Sequence, residues 1–462
     1  MEDNEVKENI MGTMPIGPLL MKLSVPMMVS MLVQAMYNVV DSVFVSRVSE
    51  AALTSVSLAF SLQNLMIAVA VGTGVGVNAM LSKSLGERNQ HNADRAADNG
   101  IFLAVCSWLV FVLIGIFLLP LYFGTQTTDP EIYQGGVEYM FICCVFGGGL
   151  FMSCMLEKIL GATGRTNYAM LCQAVGAITN IILDPIFIFG YCGEALSGVR
   201  GAAIATVIGQ IFGSALGFYL ILRKTPEIHV SLKEFRPNLP AIRRIYAVGA
   251  PTVAMQSVGS VMVYGFNQIL MGFSTTAVAV FGIYFKLQSF SFMPVYGLNN
   301  GMVPIIGYNY GARKPHRVIR TAGYAMAIAV LILTLGMVSF HVMPGALLSL
   351  FDASEQMLAI GTVALRIISL SFPLAAVAII LCAVYQALGH GLYSLYMSLG
   401  RQILVLVPMG WLLSQAGRLE LVWWAFPIAE VAGILVGIVC MYKVWKEILH
   451  PMLEEEKQHV QA

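Results

Sequence analysis

Charge is what this sequence has least of. Only 11% of its 462 residues are Asp, Glu, Lys or Arg, whereas 58% are hydrophobic and the mean hydropathy is +0.77. An average soluble domain carries about 25% charged residues. The composition therefore excludes an ordinary soluble fold and indicates an all-α protein that crosses a membrane many times.

Signatures of several other function classes are also missing. The sequence has no GxxxxGK[ST] loop for an ATP-driven motor, no DDxxD metal cluster and no GxSxG nucleophile. Its eight cysteines include no CxxC pair and, apart from Cys192, fall within apolar runs, so we interpret them as packing residues. The glycines of GTGVG at 72–76 lie inside an apolar run with no strand before them, which favours close helix packing over nucleotide binding. We expect no enzyme activity, no nucleic-acid partner and no cofactor beyond a coupling ion.

Long apolar runs make up most of the sequence. A helix needs roughly 20 apolar residues to cross a bilayer core. The runs predict twelve spans, near residues 17–47, 54–82, 94–121, 133–160, 165–191, 198–223, 240–272, 278–308, 318–344, 356–387, 392–415 and 420–446. Of the 26 Lys and Arg residues, 20 lie on one side of these spans, three within them and three on the other side. The positive-inside rule then predicts a multi-pass protein of the cell membrane with both termini in the cytoplasm.

The chain is an internal duplication. At an offset of 225 positions, Pro26 aligns with Pro251 and Gly72 with Gly297, and the match continues without a gap over most of each half. Each half has an even number of spans, so the two repeats run parallel. We divide the chain into an N-terminal tail (1–18), an amino-terminal six-helix lobe (19–222), a cytoplasmic linker (223–244), a carboxy-terminal six-helix lobe (245–446) and a C-terminal tail (447–462). The 1–18 segment is interpreted as a loosely ordered tail.

Two acids stand inside apolar runs of the first lobe. Asp184 lies in NIILDPIFIF, and Asp41 lies in QAMYNVVDSVFVS. Charged groups in a bilayer are costly, so they face the protein interior and mark ion pathways. Asn180 precedes Asp184 by four residues and shares its helix face. The alternative interpretation is that the two acids only cap local backbone groups, including those that Pro185 leaves free.

Polar neighbours extend this candidate site. Tyr37 and Asn38 precede Asp41 by four and three residues, and Thr206 and Gln210 share a face of the sixth span. Together these groups could surround two carboxylates, which cannot both stay ionised at low cost where water is scarce. The pattern predicts a proton site, although an all-oxygen cage at Asp41, Asn180, Asp184 and Thr206 could equally hold Na⁺.

The second lobe carries a different set of charges within its spans. They are Lys286, Arg366, Arg401 and Glu430. One interpretation is a buried ion pair between Glu430 and a base, and Lys286 is the partner that we test first; the other is that these residues line a cargo cleft. Gln34 and Gln288 are added as supporting polar residues, and Pro26, Pro185 and Pro251 as points where helices bend.

These features resemble the multidrug and toxic compound extrusion (MATE) family, in its DinF-type prokaryotic branch. The similar stretches are LSVPMMVSMLVQAMYNVVDSVFVS, GATGRTNYAMLCQAVGAITNIILDPIFIFG and KLQSFSFMPVYGLNNGMVPIIGYNYGARK. The resemblance implies two six-helix bundles in a V around a central cleft, with a cation site at Asp41, Asn180, Asp184 and Thr206. Another branch uses acids in the seventh and tenth spans, but the seventh span here has Gln256 and Gln268 instead.

The resemblance implies an antiporter that imports H⁺ or Na⁺ and exports amphipathic, often cationic, drugs by alternating access, acting as a monomer. The alternative is a flippase for lipid-linked precursors, with a cationic groove built from Lys286, Arg366 and Arg401.

Overall fold

Helices account for nearly all of the computed structural model, which describes residues 9–46, 49–191, 193, 197–230, 235–351 and 353–461. No strand occurs among these residues. Cys192 lies outside them. The helices up to the linker are α1 (Ile10–Thr13), α2 (Ile16–Ser46), α3 (Glu50–Gly86), α4 (Gln90–Phe117), α5 (Leu119–Gln126), α6 (Pro130–Val145), α7 (Gly148–Ala162), α8 (Thr166–Ile188) and α9 (Gly198–Lys224).

The second half repeats this order. Its helices are α10 (Leu239–Met271), α11 (Thr275–Gly311), α12 (Pro315–Val342), α13 (Pro344–Ser349), α14 (Glu355–Ser369), α15 (Phe372–Ala387), α16 (Gly391–Leu399), α17 (Val407–Ser414), α18 (Leu419–Val422), α19 (Ala425–Val444) and α20 (His450–Gln461). Two π-helical segments, Gly400–Leu406 and Trp445–Leu449, join α16 to α17 and α19 to α20.

Membrane-spanning character follows from length and composition. Within the described residues, nine helical stretches are long and apolar enough to cross a bilayer, and two helix pairs bent by 49° raise the number to eleven. The bent pairs are α6 with α7 and α14 with α15, which occupy equivalent places in the two repeats. The remaining predicted span is the seventh, near 240–272. It corresponds to α10, which is not among these eleven but is the repeat counterpart of α2 and is equally continuous through its internal proline.

The duplication is also visible in the backbone. Ser49 and Ser274, 225 residues apart, cap α3 and α11 by accepting hydrogen bonds from the third residue that follows each of them. Arg88 and Arg313 adopt positive φ angles of 55° and 57° at equivalent turns. Because non-glycine residues rarely adopt this conformation, its recurrence shows that the two turns are built alike.

The chain forms two compact units. One is Val29–Gly249, and the other combines the chain up to Met28 with Ala250–Ala462. The sequence-based lobes share most of these residues but begin at 19 and 245. Both unit boundaries fall inside long helices, α2 and α10, shortly after Pro26 and just before Pro251.

The first part of α2 and the first part of α10 each belong to the unit formed mainly by the other repeat, and glycines let them pack closely there. In the Val29–Gly249 unit, a Cβ atom on Gly76 of α3 would collide with the carbonyl oxygen of Ile245, and one on Gly249 would lie 3.0 Å from the carbonyl oxygen of Gly72. The other unit repeats the crossing, since a Cβ atom on Gly301 of α11 would collide with Ser24. GTGVG is therefore a helix-packing motif, as predicted.

Residues 9–18 pack against the unit that contains α11 rather than forming a loose tail. Met11 is fully buried, and its carbonyl oxygen accepts hydrogen bonds from Asn309 (2.9 Å) and Arg317 (3.0 Å). Residues 450–461, predicted as a tail, form α20, where Glu455 pairs with Arg313 at 2.7 Å.

Candidate functional site

Asp184 lies on α8 at the centre of a buried polar cluster in the Val29–Gly249 unit. Its exposed fraction is 0%, and those of Asn180 and Thr206 are 2% and 6%. The Asn180 amide satisfies its neighbours when its nitrogen faces the carboxylate. It then donates to Oδ2 of Asp184 at 2.8 Å, and its oxygen accepts from the Thr206 backbone nitrogen (3.0 Å) and hydroxyl (3.1 Å). We name Asn180, Asp184 and Thr206 the amino-unit cluster.

A glycine crossing brings the two helices of this cluster together. A Cβ atom on Gly209 of α9 would lie 2.6 Å from the carbonyl oxygen of Gly176 on α8 and 3.2 Å from Cβ of Asn180. Only glycines permit this approach, and the approach lets the short Thr206 side chain reach Asn180 across the helix pair. Pro185 lies in the last turn of α8, where it removes one backbone donor next to the carboxylate.

The other candidates of the first repeat have varied positions. Asp41 and Asn38 lie on the described backbone of α2, but their side chains are outside the described part of the structure. Tyr37 is half-buried on the same helix. Gln34 accepts a hydrogen bond of 3.2 Å from Gln173. Gln210 lies on α9 against Gly149 of α7, and it forms no hydrogen bond with the described side chains of the amino-unit cluster.

Chemically, this cluster can hold one positive charge. Charging a carboxylate without an accompanying proton or cation is costly in a membrane interior. Asn180 and Thr206 are neutral, so within the cluster Asp184 is the only group that ionises. Proton uptake or cation binding at this position would therefore change the charge of the unit by one.

Glu430 in the second repeat pairs with Arg401, not with Lys286. Nη1 of Arg401 donates to both carboxylate oxygens of Glu430, at 3.1 and 3.2 Å. The ammonium of Lys286 instead lies 5.9 Å from the ring centre of Phe351. The structure thus contains the ion pair between Glu430 and a base that the sequence suggested, but the base is Arg401 and not Lys286, the partner that we named for the first test. Helix spacing cannot show which base on a neighbouring helix faces an acid.

Arg366 and Gln288 complete the candidates of this repeat. Arg366 is exposed on α14, and its Nε donates to the carbonyl oxygen of His341 at the end of α12, at 3.3 Å. Gln288 is half-buried on α11, and its side-chain oxygen has no hydrogen-bond partner among the described residues. Lys286, Arg366 and Arg401 therefore make three separate local contacts, and the contacts do not join them into one groove.

Two polar residues escaped the sequence analysis. Gln173 precedes Asn180 by seven residues and Asp184 by eleven, a spacing that places all three on one face of α8 and could have revealed it. Glu157 is a half-buried acid in α7, within electrostatic range of Lys158.

Outside the spans, Arg165 donates from Nε (3.1 Å) and Nη2 (2.7 Å) to Glu227, and this carboxylate raises the pKa of Arg165 above its ordinary value.

Comparison with known proteins gives matches along nearly the whole chain. The MatE family model matches twice, at residues 26–186 and 251–412, once in each repeat. An FAD transporter of Shewanella oneidensis is 25% identical over 93% of this chain and 94% of its own length. The multidrug export protein MepA of Staphylococcus aureus is 23% identical, also over 93% of this chain and 94% of its own length.

Solved structures agree with these sequence matches. A MATE protein in complex with MaL6 superposes with a TM-score of 0.88 at 25% identity, covering 95% of this chain and 99% of that chain. An outward-facing multidrug resistance MATE transporter of the MOP superfamily gives 0.88 at 25% identity, covering 97% and 99%. The predicted duplication and twelve-helix fold are thereby confirmed. Because a family model covers most of the chain, once per repeat, we conclude that the protein belongs to the MatE family of multidrug efflux transporters and is a membrane transporter rather than an enzyme.

Proposed function

We propose that this transporter exports amphipathic organic compounds in exchange for protons and that Asp184 carries the proton. The observation that supports the proposal is the complete burial of Asp184 in a hydrogen-bonded cluster between α8 and α9. A carboxylate in such surroundings gains from neutralisation, so proton uptake and release can alternate as access alternates between the two sides of the membrane.

Proton coupling is proposed ahead of sodium coupling because the cluster has a single ionisable group. One proton on Asp184 neutralises it without any further ligand, and Asn180 and Thr206 are neutral. A sodium ion would instead need several oxygen ligands around it at the same position.

The cargo is proposed from the relatives. Proteins similar to this chain include multidrug exporters and an FAD transporter, which together support small amphipathic organic cargo. The flippase alternative required Lys286, Arg366 and Arg401 in one groove. These residues contact Phe351, His341 and Glu430 respectively, so no observation favours it.

The proposed location is the cell membrane, with both termini in the cytoplasm and one chain as the functional transporter. The support for the orientation is the 20-to-3 distribution of Lys and Arg between the two sides of the predicted spans. A reporter enzyme that is active only outside the cytoplasm, fused after Ala462, should be inactive. The same reporter inserted after Thr127 should be active, and the reverse pattern would contradict this orientation.

Gradients imposed separately test the coupling ion. Purified protein in liposomes should accumulate ethidium when a pH gradient alone is applied and should not do so when a sodium gradient alone is applied. Asp184→Asn should abolish the response to the pH gradient. Accumulation driven by sodium alone would refute proton coupling, and no accumulation under either gradient would refute antiport altogether.

A further inference from the structure

The ion pair of Arg401 and Glu430 uses only part of the guanidinium. One nitrogen, Nη1, reaches both carboxylate oxygens, at 3.1 and 3.2 Å. By contrast, Arg165 and Arg200 bind their glutamates through Nε and Nη2, the two-pronged geometry that guanidinium and carboxylate prefer. Nε and Nη2 of Arg401 therefore donate to no group among the described residues.

Arg401 is fixed in place by its surroundings. It lies in the π-helical segment Gly400–Leu406, and such segments are frequent at functional sites. Its aliphatic stem packs against Gly433, where an added Cβ atom would lie 3.1 Å from Cβ of Arg401. The side chain remains 20% exposed and that of Glu430 14% exposed, so a ligand can approach the pair.

Two tyrosines of α11 lie in the neighbourhood of the pair. Tyr284 and Tyr296 lie within electrostatic range of both Arg401 and Glu430. Tyr296 is 44% exposed, so a ligand can reach this side chain. Tyr284 is buried within a larger aromatic cluster and lies 6.0 Å from Phe426 between ring centres. A planar ring could thus stack beside the unused edge of the guanidinium.

The charges of this unit decide the sign of the ligand. Glu430 is the only acid in α10, α11, α12, α15, α16, α17 and α19, and Arg401 already neutralises it. A cationic ligand would have to displace Arg401, whereas an anion can bind Nε and Nη2 without displacing any protein group. Lys286 and Arg366, which also lie within the predicted spans of this unit, are both positive as well.

We propose that Arg401 and Tyr296 form a binding site for compounds that join a planar aromatic ring to a carboxylate or phosphate, with Glu430 orienting Arg401. The inference rests on the proposed export function and names one class of its cargo. The oxyanion accepts from Nε and Nη2 of Arg401, and the ring stacks on Tyr296. Glu430 keeps Nη1 and competes weakly with the ligand for the guanidinium.

Two flavins that differ only in a phosphate test this site. Riboflavin 5′-phosphate and riboflavin are titrated into the full-length transporter in lipid nanodiscs, and binding is followed by flavin fluorescence. The phosphate form should bind about tenfold more tightly, since hydrogen bonds to charged groups contribute on this scale. Arg401→Gln should remove the preference for the phosphate form by weakening the binding of that form, with riboflavin affinity unchanged. Glu430→Gln should increase the preference for the phosphate form, because it releases the guanidinium.

Controls separate this site from a purely structural ion pair. Arg418→Gln removes an exposed base that pairs with Glu420 and should leave the preference intact. Should Arg401→Gln unfold, Arg401→Gln with Glu430→Gln removes both charges and should fold without the preference. A structural pair alone predicts that Arg401→Gln and Glu430→Gln weaken both flavins in parallel with the melting temperature. That result, equal affinities of the wild type for the two flavins, or binding of neither would overturn the proposal. Ethidium efflux driven by a pH gradient reports on Asp184 independently, so failure of this site would not be mistaken for failure of proton coupling.

Discussion

Replacing Asp184 with Asn separates the charge of this residue from its hydrogen bonding. Asn180 donates to Oδ2 of Asp184 at 2.8 Å, and the carbonyl oxygen of an introduced amide can accept the same bond. A charge-assisted bond becomes a neutral one, a loss of about 1 kcal/mol, and the cost of holding a buried charge disappears at the same time. We therefore expect the free energy of unfolding of Asp184→Asn to stay within about 1 kcal/mol of that of the wild type.

Transport should respond very differently. Exchange of one proton for one ethidium cation moves no net charge, so the pH gradient supplies the driving force: one pH unit corresponds to about 1.4 kcal/mol and a roughly tenfold concentration ratio. Without a titrating group this drive is lost, so Asp184→Asn should bind ethidium yet reach a concentration ratio of about one. Asp184→Leu is the contrasting variant, because it leaves the buried Asn180 nitrogen without this acceptor and should cost about 1–3 kcal/mol of stability.

The assay measures melting temperature, ethidium binding and efflux on the same purified samples. Glu131→Gln, which neutralises an exposed acid in the first turn of α6, is the matched control and should behave like the wild type. Full gradient-driven efflux by Asp184→Asn would refute the proposed coupling role. A lowered melting temperature with coupling intact would support the alternative in which this carboxylate only caps the backbone.

Three further experiments test the packing and the charged contacts. Gly76→Ala should destabilise the protein by about 1–3 kcal/mol, since its Cβ would meet a carbonyl oxygen of α10, whereas Gly17→Ala, with nothing within 4 Å, should leave stability equal or higher by denaturation in detergent. A double-mutant cycle on Arg165 and Glu227 should give a coupling energy of about 0.2–1 kcal/mol. A coupling energy of zero would mean that the two hydrogen bonds between these side chains do not form in solution. Lys286→Met should change the free energy of unfolding by less than about 1 kcal/mol; a loss of about 3–5 kcal/mol would indicate a buried ion partner instead of the ring of Phe351.

The repeat and the apolar runs were enough to predict the spans, because hydropathy and duplication are properties of the sequence itself. The neighbourhood of Asn180 and Asp184 was equally predictable, since four residues make one helical turn. Thr206 was a weaker inference. Its distance from Asn180 depends on how closely α8 and α9 approach, and this distance is set by Gly176 and Gly209 on two different helices.

The partner of Glu430 could not be predicted in the same way. Lys286 and Arg401 lie on different helices, and their distances from Glu430 depend on helix rotation and on the π-helical segment Gly400–Leu406, which shifts the register of every residue after it. Asp41 remains a sequence-based candidate, because its side chain lies outside the described part of the structure.

The glycine crossings have a consequence for how the gene product can be divided. Residues 239–249 belong to the α3-containing unit, although by sequence they open the second repeat. A fragment that ends in the linker would leave Gly72 and Gly76 facing no helix, whereas a fragment spanning 29–249 would carry its own closing segment. Two fragments that are divided in the linker and coexpressed from separate genes should therefore form active protein only when each fragment packs its first helical segment into the other fragment's unit. The stretch of sequence that was copied during duplication is not the stretch that folds as one piece.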